Sequence, residues 1–310
     1  MTSPVTGLHH VSSITGGAQD TLDWYGTRLG LRLVKQTVNF DDPSSYHLYF
    51  ADGETRPGSF LTFFPIPDAR PGRLGAGQAT AVAYAVPEGA VDAWTDALAE
   101  AGDDFDLSER FGDRVLTLRD PWGLVYDLVE SPEADGAWTD GPMPASRALG
   151  AFHHVTLCSL DPEATARVLT EAYGYREHGQ EGDRLRLVNP AADRARFLDL
   201  FCDRAEAGRG GTGTVHHIAF RVPNDEAELQ ARERLLEIGL RPTEVRDRQY
   251  FRSVYAREPG GVLFEIATDP PGFAVDEPAD RLGEALKLPP QYEARRTQIE
   301  ARLPELRRPY

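Results

Sequence analysis

Apolar and polar positions alternate along this chain in short runs, broken at intervals by stretches with helical spacing. β-like runs begin at Leu8, Ala79, Phe152 and Val215, and each is followed by a helical stretch. Asp161-Pro162 predicts an N-cap with proline at the first helical position, and Gly174 predicts the stop. Val91, Trp94, Leu98 and Ala101 recur every three or four residues before Gly102, which predicts a helix ended by glycine. Leu229, Leu235 and Leu236 predict a similar apolar face before Gly239. Strand-like runs follow each helix: Tyr46–Phe50 and Phe60–Phe64, Val115–Leu118 and Leu124–Val129, Leu185–Val188 and Phe197–Phe201, Ser253–Ala256 and Val262–Ala267. The pattern predicts four βαβββ modules, and because strands and helices intermix the class is α+β.

The chain also repeats itself. Gly7-Leu8-His9-His10-Val11 returns as Ala151-Phe152-His153-His154-Val155, an offset of 144. Ala79 to Pro87 is echoed by Val215 to Pro223 at an offset of 136, and Arg119 to Asp127 by Arg257 to Glu265 at 138. Nearly equal offsets make the two halves copies of one unit of two modules. The predicted organisation is a first half over 1–131, a linker rich in Pro, Gly, Asp and Ala over 132–149, a second half over 150–272, and a Pro-interrupted tail over 273–310. The glycine-rich Gly72 to Gly77 lacks the Gly-Lys-Ser/Thr ending and the following helix of a phosphate cradle, so it reads as a loop.

Composition narrows the partners. A net charge of −16 over 310 residues disfavours nucleic acid and anionic membrane surfaces, which repel an acidic protein lacking a basic stripe. No apolar run approaches the roughly 18 residues of a membrane span, and the start MTSPVTGLHH lacks the features of a secretory signal. Cys158 and Cys202 predict no disulfide framework and no zinc-type spacing. The expected setting is cytoplasmic, with homo-oligomer formation left open.

Six of the eight histidines form three His-His pairs near the starts of module-opening strands. Neighbouring strand residues face opposite ways, so one histidine of each pair can face a cupped interior. Glu265 lies within the apolar strand Val262 to Ala267, where a carboxylate is costly to bury unless it is paired or holds a metal. With His217 in the same module the metal reading leads. Two imidazoles and one carboxylate form a facial triad, which leaves positions open on Fe(II) for substrate and dioxygen. Trp24, Trp94, Phe60, Phe63 and Phe64 are expected in the core.

These features, with the stretches Leu8 to Val11, Tyr46 to Asp52, Val215 to Phe220 and Tyr255 to Glu265, resemble the vicinal oxygen chelate (glyoxalase/bleomycin resistance/extradiol dioxygenase) superfamily. Within it they resemble the hydroquinone ring-cleaving dioxygenase branch. The resemblance implies two cupped mixed sheets, modules one and four building the active half, and His10, His217 and Glu265 as ligands of Fe(II), with Mn(II) as an alternative. The equivalent positions in modules two and three are Ala81, Asp127 and His154. Should modules three and four pair instead, His154 would replace His10. The implied substrates are a small aromatic diol and dioxygen. Tyr255 is implied as a hydrogen-bond donor to substrate, and His9 and His216 as proton-handling neighbours or packing residues. Ser12, on the face of His10, and Arg248, which is equally readable as a solvated arginine, are candidate substrate contacts. Two other readings stay open: a glyoxalase-like isomerase or thiol transferase, and a non-catalytic protein binding an aromatic compound or drug. The first usually needs a fourth protein ligand, for which the strand Ser59–Phe64 offers only Ser59 and Thr62.

Overall fold

The structure, a computed structural model, describes residues 3–202 and 206–310. The first module is β1 (Leu8–Thr15), α1 (Ala18–Asp23), which runs on into a π-helical turn, then β2 (Arg32–Val38), β3 (Tyr46–Ala51) and β4 (Phe60–Pro65). The second is β5 (Gln78–Val86), α2 (Ala90–Ala101), β6 (Asp106–Arg110), β7 (Asp113–Arg119) and β8 (Val125–Glu130). The third is β9 (Phe152–Cys158), α3 (Pro162–Glu171), β10 (Arg176–Glu181), β11 (Arg184–Val188) and β12 (Phe197–Leu200). The fourth is β13 (Thr214–Val222), α4 (Asp225–Glu237), β14 (Arg246–Asp247), β15 (Arg252–Arg257) and β16 (Leu263–Thr268).

Capping follows the sequence closely. The Asp161 carboxylate accepts from the Ala164 amide at the start of α3, and Gly102 closes α2 in the left-handed conformation at φ 72°. The face of α4 differs from expectation. Ala227, Glu228, Ala231 and Leu235 are buried, whereas Leu229 and Leu236 are exposed, because the i, i+4, i+8 row through the small alanines is the one that fits against the sheet. The strands that the alternation does not mark individually include β6, β10 and β14, whose residues mostly face water and carry no apolar alternation.

Two eight-stranded mixed sheets result. One has the order β14-β15-β16-β13-β1-β4-β3-β2, the other β10-β11-β12-β9-β5-β8-β7-β6. Module one therefore joins module four, and module two joins module three, each through antiparallel pairing of the two first strands. Alternation divides each strand between two environments. In β16, Phe264 and Ile266 enter the main core with Val11 of β1 and Phe220 of β13, while Glu265 and Ala267 take the opposite, concave face. A disulfide joins Cys158 to Cys202, contrary to the expectation from their spacing. Parallel pairing of β9 with β12 is what brings positions 44 residues apart together.

The segment after Phe273 is packed down. Asp276 and Glu277 pair with the fully buried ammonium of Lys35 on β2, and Tyr310 accepts a hydrogen bond from the Leu33 amide. Leu288, Ile299 and Leu303 are buried. The glycine-rich loop at 72–77 is stitched to residues 206–212 by backbone hydrogen bonds, including those from the Gly72, Arg73 and Ala76 amides. Those amides are therefore spent, as the loop reading requires. No helix among the described residues is long and apolar enough to cross a membrane.

Candidate metal centre and active site

The site forms where modules one and four meet. His10 on β1 lies opposite Ala219 on β13, and Ala219 lies opposite Glu265 on β16. Tyr255 on β15 lies opposite Glu265 in turn. Residues in register share a face, so one row across four strands carries Tyr255, Glu265, Ala219 and His10. His217, two residues before Ala219, shares that face. The small Ala219 leaves the space between the larger groups free.

Three ligand atoms converge there. The Nε2 atoms of His10 and His217 are 3.2 Å apart, and Glu265 Oε2 lies 3.3 Å from the first and 2.8 Å from the second. All three residues are buried, and among the described residues no other group brings three such atoms within 4.8 Å. Ser253, diagonally across from Glu265, donates a hydrogen bond to Oε1. Burial pushes the Glu265 carboxyl up, but the two imidazoles outweigh it and hold the group well below the usual carboxylate range. Burial lowers the His217 pKa, with Glu265 opposing. Two Nε2 lone pairs and one carboxylate oxygen converging in a buried site are the donor set of a divalent metal, and the residues present fit one.

The adjoining histidines reach this face through β-bulges. The β1–β13 register slips between Leu8 and His10 and again between Ser12 and Ser13, so His9 on one strand and His216 on the other are the extra residues. A bulge re-aims its side chain. His9 Nδ1 thus lies 2.9 Å from His10 Nδ1, and His216 Nδ1 lies 2.7 Å from His217 Nδ1. These contacts occupy the Nδ1 atoms and leave both Nε2 atoms for the common point, so each neighbouring imidazole helps fix the orientation of its partner ring. His9 is packed among Phe60 and Phe251, and burial lowers its pKa well below the ordinary value. His216 stands at the rim, where partial burial and then His217 lower its pKa to about 4.

Beside the cluster opens a cavity of about 260 Å³. Its wall includes Ser12, His47, Tyr49, Phe251 and Tyr255, with Asn39, Asp41, Ile66 and Arg248 also lining it. Arg248 reaches Tyr255 Oη at 3.3 Å and Asp41 at 3.2 Å. The loop carrying Arg248 and Phe251 is held from below, since Asp276 accepts from Gln249 and Tyr250. Phe64 is a correction to the expected core: it lines the cavity and stacks on His47 with ring centres 4.2 Å apart, while Phe63 stays in the core. Ser253, His47, Tyr49 and Phe251 were not marked as site residues by the sequence. Ser253 was within reach, because it alternates onto the face of Tyr255; the others depend on strand order.

The second sheet shows what the same frame does without the cluster. Register places Asp127, Ala83 and His154 where Glu265, Ala219 and His10 stand in the first. Ala81 takes the place of His217, and Asp199 that of Thr62. Here cations from the chain fill the cup. Arg186 pairs with Asp199 through two hydrogen bonds, Arg184 adds a third at 3.1 Å, and Arg110 holds Asp127 at 2.5 Å. His154 Nε2 is 3.5 Å from Asp199 and has no hydrogen-bond partner, and burial lowers its pKa to about 3. Modules three and four do not share a sheet, so His154 does not join His217 and Glu265.

The chain belongs to the Glyoxalase/Bleomycin resistance protein/Dioxygenase superfamily, whose profile matches residues 7–128 and 151–266. It is 44% identical over 301 residues to the "Putative ring-cleaving dioxygenase MhqO" of Bacillus subtilis, covering 97% of this chain and 96% of that one. It is 36% identical over 304 residues to the chlorohydroquinone/hydroquinone 1,2-dioxygenase of Sphingobium indicum, covering 93% of each. A crystal structure of a "putative dioxygenase" from Bacillus subtilis superposes with a TM-score of 0.95 at 43% identity, over 99% of both chains. Maize glyoxalase I, at 14% identity and a TM-score of 0.61 over 85% of this chain and 92% of that one, shares the fold.

Proposed function

We propose that this chain is a metal-dependent dioxygenase that opens the ring of a hydroquinone-type diol, with Fe(II) as the metal and Mn(II) as the alternative. The observation that carries this reading is the convergence of His10 Nε2, His217 Nε2 and Glu265 Oε2 beside a cavity with aromatic walls. The chain's near full-length likeness to relatives named ring-cleaving dioxygenases supports the reaction class.

His10, His217 and Glu265 would hold the metal, which when bound supplies adjacent positions for a ring oxygen and dioxygen and passes electron density between them. The remaining work falls to the chain. Phe251 and Phe64 give the cavity an apolar wall against which a flat ring would pack. Tyr255 sits opposite Glu265, and burial followed by Glu265 raises its pKa, so the phenol stays protonated and can donate to a ring oxygen. Arg248 backs that phenol with a positive charge as negative charge develops on the ring. Neutral His216, at the rim, is placed to exchange a proton with solvent, and His9 holds the orientation of His10. Ser12 contributes a hydroxyl on the cavity wall. Thr62, at the place expected for a fourth protein ligand in the isomerase reading, is engaged with Ser12 and His47, which supports the three-ligand reading over the isomerase. Anaerobically iron-loaded protein, mixed with a panel of hydroquinones and catechols while oxygen uptake is followed, should consume about one dioxygen per ring opened, and Glu265→Ala should consume none. Loaded protein that consumes no oxygen with any diol would overturn the reading.

A further inference from the structure

One cavity-lining group has no part in the mechanism above. His47 on β3 is buried and stacked between Tyr49 and Phe64, with ring centres 4.1 and 4.2 Å away. Both of its ring nitrogens are engaged. Nε2 is 2.9 Å from Thr62 Oγ1, and Nδ1 is 2.9 Å from Tyr49 Oη. Thr62 Oγ1 is in turn 2.7 Å from Ser12 Oγ. Register explains the row: Ser12 on β1, Thr62 on β4 and Tyr49 on β3 stand opposite one another across three neighbouring strands. The result is an unbroken chain of hydrogen bonds, Ser12–Thr62–His47–Tyr49, whose two ends both line the cavity while its middle, Thr62, is fully buried.

A neutral imidazole has one N–H and one lone pair, and each hydroxyl has one proton. The chain therefore has two self-consistent settings. In one, Tyr49 donates to His47 Nδ1, His47 Nε2–H donates to Thr62, Thr62 donates to Ser12, and Ser12 presents its proton to the cavity. In the other every bond is reversed, and Tyr49 presents the proton. Burial keeps the imidazole neutral, which allows either tautomer. A proton entering at one end and a different proton leaving at the other converts one setting into the other.

We propose that Ser12, Thr62, His47 and Tyr49 form a proton shuttle between two points of the cavity, with His47 as its switching group; the proposal rests on the ring-cleavage reading above. A ring hydroxyl at the Ser12 end gives its proton to Ser12 Oγ. The Ser12 proton passes to Thr62, the Thr62 proton to His47 Nε2, the Nδ1 proton to Tyr49, and the Tyr49 proton to a water molecule at its end of the cavity, which becomes hydronium. Each O–H or N–H bond broken is matched by one formed, and no member of the chain changes its net charge. A substrate oxygen deprotonated at the Ser12 end thereby passes its proton to the Tyr49 end of the same cavity.

The test separates the chain from its surroundings with Thr62→Val, which removes the central hydroxyl at nearly constant volume, and Thr62→Ser, which keeps it. On a diol that the wild type turns over, Thr62→Val should lower kcat by about 10²-fold, within the range for a lost proton-transfer group, with KM and metal content unchanged. Thr62→Ser should stay within about threefold of wild type. The wild-type solvent deuterium effect on kcat should curve with deuterium fraction because several protons move together, and the curvature should vanish in Thr62→Val. An activity-free readout keeps this apart from the ring-cleavage reading: the ¹⁵N shifts of the His47 ring report its tautomer in metal-free protein. Thr62→Val should move them toward the Nδ1–H form and Tyr49→Phe toward the Nε2–H form. His47 shifts unchanged in both variants, or equal losses of kcat in Thr62→Val and Thr62→Ser, would overturn the shuttle; an inactive wild type with responsive His47 shifts would instead overturn the reaction assigned to the site.

Discussion

Ser253→Ala isolates how far the environment of Glu265, beyond its mere presence, holds the proposed metal. Ser253 is fully buried and donates to Glu265 Oε1, leaving Oε2 aimed at His10 and His217. Removing that hydroxyl strips a donor from a buried carboxylate. A hydrogen bond to a charged group is worth about 1.5–3 kcal/mol, so the metal-free variant should lose about that much folding stability. The carboxylate also loses the contact that fixes its rotation, and with a higher pKa it competes less well against protons for the metal. Loss of such an orienting partner typically lowers metal affinity by about 10–100-fold. Competition with a chromogenic chelator under anaerobic conditions measures the affinity for Fe(II), and urea denaturation of the metal-free protein measures the stability. Metal affinity within about twofold of wild type would show that Glu265 needs no partner on Oε1 and would refute a role for Ser253 in holding the metal.

Three further outcomes are expected. His10→Ala should abolish stoichiometric metal binding, whereas His154→Ala, in the arginine-filled second sheet, should retain about one metal per chain by elemental analysis, as one three-ligand cluster predicts. Tyr255→Phe keeps the ring and removes the donor, so oxygen uptake should slow by about tenfold or more with metal content and melting temperature near wild type; unchanged turnover would assign the residue to packing. Glu228 of α4 is fully buried, both of its oxygens lack hydrogen-bond partners, and burial raises its pKa to about 7. A carboxyl raised in the folded state favours folding below its unfolded value of about 4.5 and loses that contribution as pH rises through about 7. Glu228→Gln should therefore raise the melting temperature at pH 8 relative to wild type and narrow the difference at pH 5; equal shifts at both pH values would refute the assignment.

Much of this was legible in the sequence because the repeat is strong and local signals agree. His-His pairs at equal places in module-opening strands, a carboxylate in the middle of an apolar strand, and the caps at Asp161 and Gly102 each express a constraint that acts over a few residues. Alternation alone placed Phe264 and Ile266 against the core and Glu265 away from it. It could not settle how His9 and His216 reach the site, because a bulge depends on the register of two strands more than 200 residues apart. Nor could it show Ser253 against Glu265, Phe64 on the cavity wall, or the joining of Cys158 to Cys202, since each rests on strand order. The choice between His10 and His154 was likewise a matter of pairing: β13 carries His217, and the ligand set is completed by whichever first strand lies beside it. Antiparallel pairing of β13 with β1, and of β5 with β9, made one cup a convergence of two imidazoles and a carboxylate and left the other to be filled by arginines. Hydrophobic period is a property of each segment, but a metal centre requires atoms from three strands to meet at one point, and only the assembled sheet brings them there.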